Sequence, residues 1–328
     1  MISIIICTYK RAFSLKNFLD SIKIQSLLPD ELLIIDGSPD TETKEMLEKE
    51  NFSIPNLKYF QVPPEHRGLT RQRNYGIKQL SNQTDIVCFF DDDVILNYNY
   101  IELLDQTFRN NPDCVGLSGY IKNDQKWEVY DPKIHSRKKW YIMDNYALKL
   151  GERNYARKLL GLFPDTSPGY IPPYGHGYSQ IPFTGKTYEV EHIIGCNMSF
   201  RKFVFDKIHF SNYFEGYGLY EDLDFSYRAS LLGKILINTN LLLEHHHHPS
   251  GRPDTYKFGK MVTRNGWYVW RLKYRHPSTI NRLKWNATCL LLSFILLKKA
   301  NKSSARMEFL GRISGFISII FNPPKIEY

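Results

Sequence analysis

Cysteine is scarce in this 328-residue chain, and no spacing pairs it. The five residues, Cys7, Cys88, Cys114, Cys196 and Cys289, are odd in number, with no CxxC among them. That pattern argues against a disulfide framework and against a zinc site of the usual spacing. Long apolar runs are missing too. The stretches 285–297 and 313–321 fall short of the roughly 20 residues that a bilayer-spanning helix needs. The opening apolar run stops at Thr8 and Lys10, too early for a signal-peptide core, so a reducing cytoplasmic setting is expected. Glycine is absent where a phosphate loop would need it. Thr8-Tyr9-Lys10-Arg11 follows the first apolar run without one, and no GxGxxG opens the first helix. A dinucleotide site is therefore disfavoured, and so is a nucleotidyltransferase with a glycine-rich loop. Acidic residues are rare at the end of the chain. Residues 251–328 hold 15 Lys and Arg against 3 Asp and Glu, a balance of +12 in a chain whose total is +9. The first 250 residues thus carry −3, and the basic character belongs to the tail.

What is present is a run of strand and helix signals. Apolar residues make up 42% of the chain and aromatics 14%, enough for a buried core. Ile2–Cys7, Glu31–Ile35, Leu57–Val62, residues 85–90 and Cys114–Ile121 read as strands. Between them, a segment opening at Ser14 and residues 41–50, 68–80 and 100–109 read as helices; Ser14 is expected to cap the first, whose apolar face is Leu15, Phe18, Leu19 and Ile22. Such alternation predicts an α/β fold with a mainly parallel sheet flanked by helices and right-handed crossovers. The expected division is 1–121, 122–188, 189–250 and 251–328. The second of these is rich in Trp, Tyr, Pro and Gly, and an insertion of that length suits a lid or binding loop. Its aromatics could stack on sugar rings or a lipid, or simply pack the insertion. The tail reads as helices whose apolar stretches lie among basic residues, which suits an anionic membrane surface; packing on the body or on a second copy is the alternative.

The chemistry-bearing stretch is Val87-Cys88-Phe89-Phe90-Asp91-Asp92-Asp93. In a parallel sheet its carboxylates fall at the carboxyl edge, where open α/β folds bind ligands, and Thr8 and Asp36 fall at the same edge. Three adjacent negative charges are costly unless a hard divalent cation joins them. A solvated turn rich in Asp is the plainer reading. Glu221, Asp222 and Asp224 open a helix, where acidic residues favour the macrodipole without any catalytic role. Ile235–Leu243 reads as a strand that ends at Glu244 and His245–His248.

Taken together, Ile4–Arg11, Ile35-Asp36-Gly37-Ser38, Gly68–Gly76, Phe90–Asp93 and Tyr220-Glu221-Asp222-Leu223-Asp224 resemble the motifs of the family 2 inverting glycosyltransferases, over roughly residues 1–250. The resemblance implies a GT-A fold and a metal-dependent transfer of a sugar to a glycan or lipid-linked hydroxyl, in surface polysaccharide or glycoconjugate synthesis. Thr8, Tyr9, Arg11, Asp36 and Asp92 would line the donor, with Asp36 reaching the base and Arg71 and Arg73 lying near the diphosphate. Asp91 and Asp93 would hold Mn²⁺ or Mg²⁺, completed by His245, with His247 on the same face by strand alternation. Asp222 would be the catalytic base, and Gly195, Asn197 and Glu221 would face the acceptor. A UDP- or dTDP-sugar donor is implied. The enzyme would work in the cytoplasm or on the inner membrane face; a homodimer is left open. No nucleic-acid partner is expected, because the basic charge is concentrated in the tail and the acidic triplet would repel phosphates unless metallated. A nucleotidyltransferase and a non-catalytic basic scaffold are the competing readings.

Overall fold

The computed structural model describes residues 1–124, 126–175, 177–248, 253–299 and 301–327. In chain order the elements are β1 (Ile2–Thr8), α1 (Ala12–Lys23), β2 (Glu31–Asp36), α2 (Glu42–Glu50), β3 (Leu57–Gln61), α3 (Leu69–Lys78), β4 (Ile86–Asp91), β5 (Val94–Leu96), α4 (Tyr100–Asn110) and β6 (Cys114–Ile121). There follow β7 (Trp127–Val129), β8 (Trp140–Met143), β9 (Tyr146–Lys149), α5 (Glu152–Leu159), β10 (Thr187–Val190), β11 (Asn197–Arg201), α6 (Glu221–Ser230) and β12 (Lys234–His245). Three helices close the chain: α7 (Thr255–Lys273), α8 (Thr279–Phe294) and α9 (Ser303–Phe321). They divide into two compact units, Met1–Gln125 with Phe183–Gly251, and Lys126–Pro182 with Arg252–Tyr328.

The first unit is built on a nine-stranded sheet in the order β10-β12-β6-β11-β4-β1-β2-β3, with β5 pairing β12. The strands β3, β2, β1 and β4 run parallel, as do β6 and β12, while β11, β10 and β5 run against their neighbours. The apolar runs explain the burial. Ile4, Ile5, Ile6 and Leu32 to Ile35 are shut away from solvent, as near-continuous apolar strands covered on both faces must be. On α1 the residues Leu15, Phe18, Leu19 and Ile22 form the buried stripe. Ser14 does not cap that helix, which opens one turn earlier at Ala12 with Arg11 at the cap position. Register places Thr8 opposite Asp36, and Cys7 opposite Asp91, so three apolar strands release their polar ends at one edge.

In the second unit β7, β9 and β8 form a small antiparallel sheet. Its aromatics pack on one another. Tyr141 and Tyr178 stack with ring centroids 5.6 Å apart, and Trp270 lies parallel to Trp285 at 5.2 Å. Helices α7 and α9 cross closely at glycines: a Cβ on Gly311 would sit 2.0 Å from the Tyr256 carbonyl oxygen, and one on Gly259 would sit 2.2 Å from that of Glu308. Only small residues allow that approach. Among the described residues, no helix is long and apolar enough to cross a membrane, and the five cysteines form no disulfide.

Candidate active site

The three consecutive carboxylates after Phe90 separate by strand alternation. Asp92 turns inward, where its Oδ2 accepts the Thr8 hydroxyl at 2.7 Å and its Oδ1 accepts Arg11 Nη1 at 3.0 Å. Burial pushes its carboxyl up to about 7, against the pull of Arg11 and Thr8. Asp91 and Asp93 take the opposite side. Burial raises Asp91 as well, opposed by the charge of Arg73, whose Nη2 lies 3.7 Å away. On Asp93 burial is outweighed by His245, the His248 N–H and Arg11, which hold it down at about 2.

His245 arrives from β12, far from Asp93 in sequence. Strand β12 pairs antiparallel with β5, which sets His245 opposite Val94 and its Nε2 3.1 Å from Asp93 Oδ1. The backbone N–H groups of His246 and His248 then close on Asp93, on its carbonyl at 2.9 Å and its Oδ2 at 2.7 Å. Asp93 Oδ1 is buried and receives no well-aligned hydrogen bond. Asp91, Asp93 and His245 each offer one ligand atom within 4.8 Å of the other two. Two carboxylate oxygens and one imidazole nitrogen fit a divalent cation such as Mn²⁺, which would also give the buried Asp93 Oδ1 a strong partner.

A second group of carboxylates stands at the start of α6. Asp222 accepts the Gly195 N–H on Oδ2 and the Leu223 N–H on Oδ1, both at 2.9 Å. Burial raises its carboxyl, while those two N–H groups and Arg73 pull it down. Glu221 is buried at 3% exposure. Its Oε1 accepts Arg73 Nη1, its Oε2 has no hydrogen-bond partner, and burial pushes it up to about 8. Arg73 is itself sealed at 2% exposure, and its Nη2 donates to the Gly195 carbonyl at 3.0 Å. It therefore bridges α3, the segment before β11 and α6.

Several residues expected to face a ligand also have partners within the protein. Arg73 gives its guanidinium to Glu221 and to the Gly195 carbonyl. Arg71 is paired with Glu215 and donates to the Glu65 carbonyl. Thr8 holds Asp92. Asp36 is fully buried and accepts Ser38 N–H at 2.7 Å and the Tyr59 hydroxyl at 2.9 Å. Asn197 lies within β11, 1% exposed, where its amide oxygen accepts Ser118 Oγ and the Gly119 N–H. Tyr9 is 45% exposed. Gly195 has no room for a side chain, since a Cβ would lie 2.9 Å from Glu221 Oε1. Asp224 is paired with Arg228 one turn on, a structural role.

Sequence reasoning passed over Gln72, whose Nε2 donates to the carbonyls of Thr8 at 3.1 Å and Ile35 at 2.7 Å and so pins the ends of β1 and β2. It also passed over Asn123 and Asp124, although β6 ends at the same edge as β4. His247 contacts Asp124, Nε2 to Oδ1 at 2.6 Å.

The family model described as Glycosyl transferase family 2 matches residues 3–208. A curated relative, glucosyl-dolichyl phosphate glucuronosyltransferase of Haloferax volcanii, is 26% identical over 144 residues, covering 43% of this chain and 44% of that protein. The match thus spans less than half the length of that relative. Among solved structures, the mannosyltransferase PcManGT of Pyrobaculum calidifontis in complex with GDP-Man and Mn²⁺ aligns with a TM-score of 0.53 at 12% identity, covering 98% of this chain and 88% of that one. TarS residues 1–349 of S. aureus in complex with UDP-GlcNAc aligns at 0.50 and 14%, covering 98% and 92%. These structural likenesses concern the fold.

Proposed function

The chain belongs to glycosyl transferase family 2 and has the GT-A fold, and from that premise we propose that it moves a sugar from a nucleoside-diphospho-sugar to an acceptor hydroxyl with inversion. The observation that carries this reading is the meeting of two carboxylate groups from distant segments. Asp91 and Asp93 lie at the end of β4, Asp222 lies at the start of α6, and Arg73 touches both neighbourhoods.

Asp91, Asp93 and His245 are the residues that would hold Mn²⁺ or Mg²⁺. Bound there, the cation would offset the charge gathering on the leaving diphosphate. Arg11, 3.7 Å from Asp93, adds a fixed positive charge to the same edge. Each oxygen of Asp222 accepts one backbone N–H, which leaves lone pairs for an acceptor hydroxyl. As that hydroxyl attacks the anomeric carbon from the face opposite the diphosphate, one C–O bond forms and the other breaks. The hydroxyl proton passes to Asp222. A general base of this kind is worth about 10²–10⁴-fold.

The donor is read as a UDP- or dTDP-sugar and the acceptor as a glycan or lipid-linked hydroxyl of a surface glycan. The second unit is read as a contact for an anionic membrane surface. It holds 24 Lys and Arg against 8 Asp and Glu, a balance of +16 that leaves −7 for the catalytic unit.

Calorimetric titration with UDP-, dTDP- and GDP-sugars, with and without Mn²⁺, tests the reading on wild type and Asp93→Ala. One nucleotide class should bind only with the cation, at least tenfold more weakly to the variant. No binding across the panel, or binding indifferent to both the cation and Asp93, would overturn it.

A further inference from the structure

Beyond the Asp91–Asp93 pair, His245 belongs to a second constellation. The ends of the adjacent parallel strands β6 and β12 diverge into two short segments, 122–124 and 245–248. Asn123 clasps the His245 backbone from both sides, its Oδ1 accepting the His245 N–H and its Nδ2 donating to the His245 carbonyl, each at 2.9 Å. The clasp fixes the next residue in line, Asp124, beside the histidines. His247 adopts a left-handed backbone, φ 49°, which folds its ring back so that its centroid lies 4.0 Å from that of His245. Asp124, His245 and His247 each offer one ligand atom within 4.8 Å of the other two. Their exposures are graded: the side chain of His245 is 14% exposed, Asp124 24% and His247 49%, so the cluster has a firm floor and a solvent-facing mouth.

We propose that Asp124, His245 and His247 form a second divalent-cation site, selective for borderline ions such as Zn²⁺ and Co²⁺. The donor set decides the selectivity. Two imidazoles and one carboxylate suit those ions, whereas two carboxylates and one imidazole, as at Asp91, Asp93 and His245, suit Mn²⁺ or Mg²⁺. Three protein ligands and an open side leave a position for water, the usual arrangement of an accessible zinc site. The two sites exclude one another, because a neutral imidazole has one acceptor nitrogen and His245 cannot serve both. A zinc-class ion at the outer site would therefore withdraw His245 from the inner one. This last step, inhibition by competition, rests on the transferase reading; occupancy of the outer site does not.

Competition of the protein against a chromogenic chelator for Zn²⁺, together with visible absorption of bound Co²⁺, tests the site without any assay of transfer. The variants are His247→Ala and Asp124→Asn, with His246→Ala and Asp93→Asn as controls. His246 points elsewhere, its Nε2 3.4 Å from Glu244. Zinc affinity should fall at least tenfold in the first two variants, with Mn²⁺ binding unchanged, and should hold in both controls. Equal affinity in wild type and His247→Ala would overturn the site, leaving the His247–Asp124 contact as an ordinary ion pair. A loss in His246→Ala as large as in His247→Ala would overturn it in favour of an unspecific histidine tract. Loss in Asp93→Asn alone would place the zinc in the inner site. If the outer site holds, excess Zn²⁺ should weaken Mn²⁺-dependent donor binding in wild type but not in Asp124→Asn. Failure of that arm alone would count against the coupling and the transferase reading, not against the site.

Discussion

Arg73 and Glu221 form an ion pair across 148 residues of sequence, with side chains 2% and 4% exposed. The pair fastens α3 to α6, and through the Gly195 carbonyl it fastens both to the segment that leads into β11. Asp222 follows Glu221 directly, so the position of the proposed base is tied to this buried pair. Burying such a pair costs desolvation on both sides; removing one partner leaves the other stranded.

Arg73→Met should therefore lower stability by about 3 kcal/mol, somewhat cushioned because Glu221 can take up a proton. Urea unfolding checks this, and the double variant Arg73→Met/Glu221→Met should recover most of the loss. A single variant as stable as wild type would show that the pair anchors nothing.

The edge that collects Thr8, Asp36 and Asp91 was legible because each ends a short apolar run, and runs of that kind pair in parallel. Which of the three consecutive carboxylates turns inward was not legible. That depends on Thr8 and Arg11 reaching Asp92 across the sheet, and residue type alone does not give register. The pairing of Arg73 with Glu221 was not legible either, because that partner is visible only once α6 is folded against α3. The bonds of the Asn197 side chain to backbone and hydroxyl donors of β6 within the sheet were hidden for the same reason. The aromatic residues of 126–182 carried no periodicity because they pack on one another and, in Tyr174, against the Trp270–Trp285 pair.

The high position of Glu221 makes stability depend on pH in a defined direction. Its folded value of about 8 lies above the ordinary 4.5, so the folded chain holds the proton more tightly. The contribution is present in full below pH 4.5 and is lost as pH rises through 8. In EDTA, unfolding free energy should fall between pH 5 and 8.5 by on the order of 1 kcal/mol per pH unit. Asp92, raised to about 7, adds a dependence of the same sign at lower pH, so Glu221→Gln should reduce the slope chiefly between pH 7 and 8; an unchanged slope there would assign the dependence to other groups.

Gly195→Ala tests the closeness of the segment before β11 to α6. The new Cβ would meet Glu221 Oε1 at 2.9 Å and Asp222 Cβ at 3.2 Å. Both side chains must shift, at a cost of about 1–3 kcal/mol. Turnover should drop at least tenfold while Mn²⁺-dependent donor binding stays near wild type, because the cation ligands lie outside the contact. A matching loss of donor binding would mean that the two carboxylate groups do not act separately.

Asp222→Asn keeps the volume and a carbonyl oxygen for the Gly195 or Leu223 N–H but removes the capacity to accept a proton at neutral pH. Donor and cation affinities should remain within a few-fold of wild type, and transfer should fall about 10²–10⁴-fold. Equal loss of binding and transfer would take Asp222 out of the base role.

The second unit makes a prediction that concerns location, not chemistry. Along α9 the residues Met307, Leu310, Ile317, Ile320 and Phe321 are 41–83% exposed and recur at helical spacing, while its buried residues are Gly311, Arg312 and Gly315. On α8, Ile280, Leu283 and Phe294 are exposed at 61%, 61% and 53%. Exposed apolar side chains on a unit of charge +16 suit the headgroup region of an anionic leaflet, where buried area and Coulomb attraction add. Flotation with vesicles of phosphatidylglycerol and phosphatidylethanolamine should carry the protein. Vesicles of phosphatidylcholine alone should not, and raising salt to several times the physiological level should release it. Ile320→Asp/Phe321→Asp alters exposed positions at the end of α9, so the variant should fold normally and lose flotation. Binding to neutral and anionic vesicles alike would remove the charge from the account, flotation of that variant at the wild-type level would remove the α9 face, and no flotation with either lipid would remove the membrane.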